Sequence, residues 1–203
     1  MKAIIIGGGV IGLFSAYYLR KAGWEVEVLD KGDMTDNCSY GNAGYISPSH
    51  FIPLASPGMV GQGIRWMFNN KSPFYIKPAL NRDLFDWGLK FARNCTQKHV
   101  DRSAGALRDA MVLSHQLYHQ FEKESGIDFC LEDKGIFVLF KTQKLADHER
   151  HLVEKATRLG LDAQYLTADE TRAMQPDIDL DILGSVIYNC DSHMYPNMLM
   201  KGL

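Results

Sequence analysis

The chain opens with four apolar residues in a row, Ala3 to Ile6, and then three glycines. A continuous apolar run of that length predicts a short strand buried on both faces, as in a parallel sheet. From Val10 to Ala22 apolar and small residues recur at helical spacing, and Gly23 stands where such a helix ends. "WEVEVLD" then alternates Trp24, Val26 and Val28 against Glu25 and Glu27, which predicts a second strand. Strand, glycine turn, helix and strand together make a parallel βαβ unit of about 30 residues.

The pattern changes after Asp36. As far as Pro78 no period holds, and glycine and proline are frequent. So long a stretch without regular structure is usually functional. Helical spacing returns over Arg82–Cys95 and Ala104–Ser125. "DFCLEDKGIFVLF" predicts two short strands joined by a turn at Asp133–Gly135. A helix follows over Thr142–Leu159, closed by Gly160. "AQYLTADETRAM" predicts a strand and a helix capped by Thr167, with Glu170 completing a capping box. "GSVIYNC" is a last strand, and "DSHMYPNMLMKGL" starts a helix with Pro196 in its first turn. The expected fold class is α/β at the start, with a mixed α+β region after residue ~80 that lacks the βα rhythm.

Composition narrows the function. With 203 residues, 46% hydrophobic and 23% charged, the chain can build a core. A net charge of −2 offers no basic surface to nucleic acid. Cys38, Cys95, Cys130 and Cys190 form no CxxC pair, which suits a reducing compartment. No apolar run reaches the length of a secretion signal core or a membrane span, so the cytoplasm is the expected location. Peripheral association with the inner face of the cell membrane stays open.

Gly7-x-Gly9-x-x-Gly12 lies where a dinucleotide-binding fingerprint belongs, directly after a strand and opening a helix. Gly7 permits the tight turn, Gly9 lets backbone approach a pyrophosphate, and Gly12 lets helix and strand pack closely. Unpaired N–H groups and the positive end of the helix dipole then face the phosphates. Asp30 ends the second strand, where a carboxylate accepts from ribose hydroxyls and disfavours a 2′-phosphate. FAD and NAD both satisfy these features. A nicotinamide enzyme would continue with further βα units. This chain instead enters "NCSYGNAGYISPSH", Asn37 to His50, rich in small residues. Such a segment can lie flat against a large rigid ring, with backbone N–H groups of Ala43, Gly44 and Tyr45 and the side chains of Ser39 and Asn42 available to it.

"IIIGGGVIGLFSAYYLRKAGWEVEVLDKG" followed by "CSYGNAGYISPSHFIPLASPG" resembles the flavin-dependent D-amino-acid dehydrogenases, within the D-amino-acid and glycine oxidase superfamily. "IRWMF", "RNC" and "DSHMYP" are similar to the same branch. The resemblance covers the whole chain, is specific up to Gly58 and is loose from about 100 to about 185. It implies a Rossmann-like FAD-binding domain interrupted by an α+β substrate domain: residues 1–80 for FAD, 81–190 for the substrate region, and 191–203 for the return to the FAD domain. It implies that Val10 and Ile11 meet the pyrophosphate, and that Asp30 and Lys31 meet the adenosine end. Ser39 and Cys38 would lie near the phosphates, where relatives place small hydroxyl residues; Cys38 departs from that habit. Ala43, Gly44 and Tyr45 would contact the flavin through backbone. A full-length member would continue for about as long again, so the resemblance implies a truncated chain that lacks the substrate-clamping cation.

For the intact enzyme the resemblance implies oxidation of a D-amino acid to an imino acid, which water converts to a 2-oxo acid and ammonia. Electrons would pass to a membrane-held acceptor such as a quinone. A sister oxidase acting on glycine, sarcosine, proline or an opine is the alternative. A nucleotide-binding module without chemistry is another. The sequence identifies no catalytic residue; Arg65 reads better as a surface arginine than as a stand-in clamp. His115 and His119 share a helical face, but no HExxH and no neighbouring carboxylate accompanies them, so no metal is expected there. His50 could approach the substrate cavity. Trp66, Phe68, Phe74 and Tyr75 read as burial between domains rather than a membrane patch.

Overall fold

The structure is a computed structural model describing residues 1–67 and 81–203. In chain order the elements are β1 (Lys2–Ile6), α1 (Val10–Lys21), β2 (Glu25–Leu29), β3 (Tyr45–Ile46), α2 (Met59–Met67), α3 (Arg82–Asn94) and α4 (Gln97–Ser125). Then follow β4 (Ile136–Phe140), α5 (Gln143–Arg158), β5 (Ala163–Thr167), α6 (Ala168–Met174), β6 (Gly184–Tyr188), β7 (Ser192–His193) and α7 (Pro196–Gly202). They form two compact units, Met1–Ser47 with Ser114–Leu203, and Pro48–Leu113.

The first unit begins with the expected βαβ unit. β1 and β2 pair in parallel, from Lys2 opposite Glu25 to Ile6 opposite Leu29, and α1 makes the crossover that parallel pairing requires. Gly23, at φ +82°, ends the helix in the left-handed conformation that glycine adopts without strain. One expectation fails here. β1 is not buried on both faces: Ile4 is 59% exposed and Ile6 88%. Among the described residues β1 and β2 make a sheet of only two strands, and α1 packs on one side of it.

The second sheet is antiparallel in the order β4-β6-β5, with Val138 and Tyr165 both opposite Val186. Its central strand is buried along its whole length, which explains the continuous run of small and apolar residues in "GSVIY". α5 and α6 pack against this sheet. Thr142 caps α5, and Thr167 and Glu170 form the capping box of α6 as the spacing predicts. The hairpin expected across Asp133–Gly135 does not form. β4 pairs with β6, while Glu132 makes a single antiparallel bridge with His193. Gly135 turns the chain at φ +69° and donates its N–H to the Asp191 carbonyl, sending the two flanks to different partners.

The cluster that ties the first unit together is Phe121, Phe129 and Leu199, with Val10, Phe14, Tyr17 and Tyr118 packed around it. It joins α1, the C-terminal half of α4 and α7. The rings of Phe14 and Tyr17 each meet Phe121 edge to face at 5.0 Å between centroids. At its margin Lys21 pairs with Glu124 at 2.5 Å.

In the second unit, α2 gives regular structure to a stretch whose sequence shows no period, because its two glycines blur the pattern. α3 is capped by Asn81, which accepts from the Asp83 N–H at 2.8 Å, and Trp87 stacks on Phe91 one turn later. α4 starts at Gln97, a full two turns before the predicted Ala104. Thr96 accepts from the His99 N–H at its start, while the first two turns carry too few apolar residues for the period to register. Trp66 lies in α2; Phe68, Phe74 and Tyr75 lie outside the described residues. Among the described residues no helix is long and apolar enough to cross a membrane.

Phe121, 1% exposed, is the ring on which the first core turns. Phe121→Ala is expected to lower unfolding free energy by about 3–5 kcal/mol in urea titrations. Phe85→Ala, at a 76% exposed position, is expected to stay within about 0.5 kcal/mol of the parent.

Candidate functional site: a glycine turn and the loop folded onto it

β1 runs straight into the glycine turn because its hydrogen bonding continues one residue further: Gly7 N–H donates to the Leu29 carbonyl at 2.7 Å. Gly7 then takes φ +107°. A Cβ at Gly12 would stand 1.9 Å from the Gly7 carbonyl oxygen, so helix and turn approach as closely as the fingerprint requires. Gly9 caps α1 without a side-chain hydrogen bond, and the first turn contains no acidic residue. The first turn thus adds no carboxylate of its own to the helix amides and positive dipole end. Ile11, in that turn, is 80% exposed.

Asp30 fastens the turn from the other side. Its carboxylate accepts from Gly8 N–H at 2.7 Å and from Gly32 N–H at 2.9 Å. These bonds, the Gly8 one foremost, hold its carboxyl below the usual carboxylate range. A carboxylate offers about four lone-pair sites, and these backbone amides, with that of Lys31, occupy part of them. Lys31 is exposed beside it.

The loop after β2 folds back onto the same turn. Ser39 Oγ accepts from Val10 N–H at 2.9 Å, acting as a cap supplied from 29 residues away. Asn37 accepts from Ser39 N–H at 2.9 Å, and its amide reaches the Gly8 carbonyl. Asn42 staples the loop: its amide donates to the Ser39 carbonyl at 2.7 Å and to the Cys38 carbonyl at 3.3 Å, and its oxygen accepts from Gly44 N–H at 2.8 Å. The Cys38 thiol is exposed.

Gly44 ends the loop at φ +71°, and a Cβ there would lie 2.1 Å from the Met194 carbonyl oxygen. Only glycine fits. Its carbonyl accepts from Met194 N–H at 2.9 Å, and β3 then pairs with β7, Tyr45 opposite His193 and Ile46 opposite Ser192. Ala43 and Tyr45 are exposed on either side of the buried Gly44. The structure thus brings Gly7, Gly9, Val10, Gly12, Asp30 and Ser39 together around one turn, with Asp30 bonded to Gly8 and Ser39 to Val10. Asn42 links it to Gly44, bonded to Met194, and so to Tyr45, paired with His193 of β7.

Three contacts in this unit were not expected from the sequence. Asn37 works through an Asx turn, whose signal is the Asn-x-Ser spacing. Met34, a non-glycine residue at φ +64°, lays its side chain against Gly8, and no sequence pattern announces it. Asp133 reaches His115 and His119 from 14 residues beyond the second histidine, at 3.4 and 3.1 Å.

Two outcomes follow from this geometry. Ser39→Ala leaves the Val10 N–H without its cap and is expected to cost about 1 kcal/mol of stability in chemical denaturation. The Asp30 carboxyl is depressed, so its support of Gly8 and Gly32 is full above ~3.9, the value of an unfolded aspartate. It is lost as pH falls through the depressed folded value. The Gly8 and Gly32 amide resonances are therefore expected to titrate together below that pH, and Asp30→Asn is expected to abolish the step.

Comparison with known proteins agrees with the geometry. The model of the FAD dependent oxidoreductase family, DAO, matches residues 2–203. A D-amino acid dehydrogenase of Helicobacter pylori (strain ATCC 700392 / 26695) is 30% identical over 202 residues, covering 100% of this chain and 48% of that protein. The chain thus spans about half the length of that relative. Glycine oxidase from Geobacillus kaustophilus superposes with a TM-score of 0.61 at 21% identity, over 99% of this chain and 42% of the other. L-alpha-glycerophosphate oxidase from Mycoplasma pneumoniae, solved with FAD bound, gives 0.59 at 15% identity, over 98% and 40%. These neighbours share the fold of a Rossmann-like FAD-binding domain interrupted by an α+β substrate domain. The family model matches nearly the whole of this chain, and the chain belongs to the FAD dependent oxidoreductases of the DAO family, whose cofactor is FAD.

Proposed function

We propose that the protein oxidises the Cα–N bond of a D-amino acid, giving an imino acid that water converts to a 2-oxo acid and ammonia. The observation that carries this reading is the loop 37–44 fastened to the glycine turn through Ser39 and Val10. It supports a cradle in which one hydrogen-bonded unit spans the phosphate end and the ring end of a long cofactor. In this reading residues 1–80 and 191–203 hold the cofactor, and 81–190 serve the substrate.

Each residue has a task. Amides of the first turn of α1, Val10 and Ile11 among them, would hold the pyrophosphate in place of the single Ser39 contact. Asp30 would use its remaining lone pairs for ribose hydroxyls, with Lys31 at the adenosine end. Ser39 and the exposed Cys38 would border the phosphates. Asn42 would keep the backbone of Ala43, Gly44 and Tyr45 flat for the ring system. When bound, FAD supplies the acceptor for the hydride lost from the substrate Cα. The substrate amine gives its proton to solvent as the imine forms. A quinone in the membrane is the proposed electron acceptor, with the protein at its inner face.

Two measurements test this. The purified chain, incubated with FAD and desalted, is expected to retain flavin absorption, and a protein extended to the full length of its relatives is expected to be bleached by D-alanine without oxygen. Bleaching by glycine or sarcosine and not by D-alanine would move the assignment to a sister oxidase. Retained flavin that no amino acid bleaches in that full-length protein would refute the substrate class. Gly9→Val is the second test. Gly9 has ordinary extended backbone (φ −80°, ψ 177°), so valine needs no left-handed conformation. The variant is expected to keep its far-ultraviolet circular dichroism and to lose the flavin.

A further inference from the structure

Away from the glycine turn, three side chains converge that the flavin site does not use. His115 and His119 lie one turn apart on α4, with ring centroids 4.7 Å apart. Both direct Nε2 toward the same carboxylate oxygen, Asp133 Oδ1, at 3.4 and 3.1 Å. The three ligand atoms all lie within 4.8 Å of one another. Three separate elements bring them together. α4 sets the spacing of the histidines. Asp133 sits in the turn before β4, held by the Glu132–His193 bridge and by the Gly135 N–H on the Asp191 carbonyl. Ser192 of β7, fully buried, contacts both partners: its hydroxyl donates to Asp133 Oδ1 and meets His115 Nε2 at 2.6 Å.

We propose that His115, His119 and Asp133 form a binding site for a divalent transition metal, with Zn2+ as the ion its chemistry suits best. A tetrahedral zinc with bonds of about 2.0–2.1 Å places its ligand atoms roughly 3.3–3.4 Å apart. The two histidine–aspartate separations match that spacing with little movement. Two imidazoles and one carboxylate are a ligand set of zinc and its neighbours, whereas Ca2+ and Mg2+ require oxygen ligands. On binding, each neutral imidazole would offer the Nε2 lone pair and carry its proton on Nδ1. His119 and Asp133 are partly exposed, at 37% and 54% of their side chains, which gives an ion a route in and leaves water for the fourth position. The site also abuts the flavin cradle: Ser192 pairs with Ile46 of β3. An ion there would tie α4 and the β4 turn to the strand that anchors Gly44.

The test is calorimetric titration of the full chain, freed of metal with a chelator, with Zn2+. One ion per chain is expected, with heat reversed by adding chelator, and Mg2+ is expected to give none. His119→Ala and Asp133→Asn, both at partly exposed positions, are each expected to weaken zinc binding at least about tenfold. Co2+ in place of Zn2+ is expected to show tetrahedral visible bands that His119→Ala abolishes. His151→Ala on α5 is expected to change nothing. Absence of stoichiometric zinc binding, or affinity unchanged in both His119→Ala and Asp133→Asn, would overturn the assignment.

Discussion

An α-helix begins with backbone N–H groups that no earlier turn can accept, and in this protein the loop after β2 is arranged around that fact. Ser39 reaches back from 29 residues away to meet Val10 N–H, while Asp30 meets Gly8 N–H from the end of the second strand. Both partners are oxygens, and one carries full negative charge. In the proposed cradle the remaining helix amides would meet phosphate, and the Asp30 carboxylate, which repels phosphate, would meet ribose hydroxyls. The turn can be approached because Gly12 allows the helix to lie against the Gly7 carbonyl, where any Cβ would collide.

Rigidity beneath this site comes from the Phe121, Phe129 and Leu199 cluster. Val10 and Phe14 of α1 pack on it, and so does Met194, whose backbone holds Gly44. One core thus supports the glycine turn and the far end of the loop. A change in that core would move both ends of the cradle together. This is a second reason, besides burial, for the ring-on-ring packing of Phe14 and Tyr17 against Phe121.

The sequence discloses what local pattern controls and hides what tertiary pairing controls. The βαβ unit, the capping box at Thr167 and Glu170 and the last strand "GSVIY" follow from period, capping chemistry and composition within a few residues. β1 misled because a continuous apolar run reports a capacity for burial on both faces, whereas among the described residues the sheet it joins has two strands. The Asp133–Gly135 hairpin misled because turn residues do not say which strand comes next to which. The site divides in the same way. Gly7, Gly9, Gly12 and Asp30 are legible from spacing. Ser39 as the remote cap, Met34 against Gly8 and Asp133 between two histidines depend on long-range approach.

The central claim is that the glycine turn and the loop through Tyr45 form a single cofactor cradle. Hydrogen exchange of the backbone amides, followed by mass spectrometry with and without FAD, tests it most directly. The account predicts that FAD slows exchange in residues 7–12 and 37–45 together and leaves α5 and α6 unchanged. Slowing confined to one of the two segments, or found only elsewhere in the chain, would contradict it.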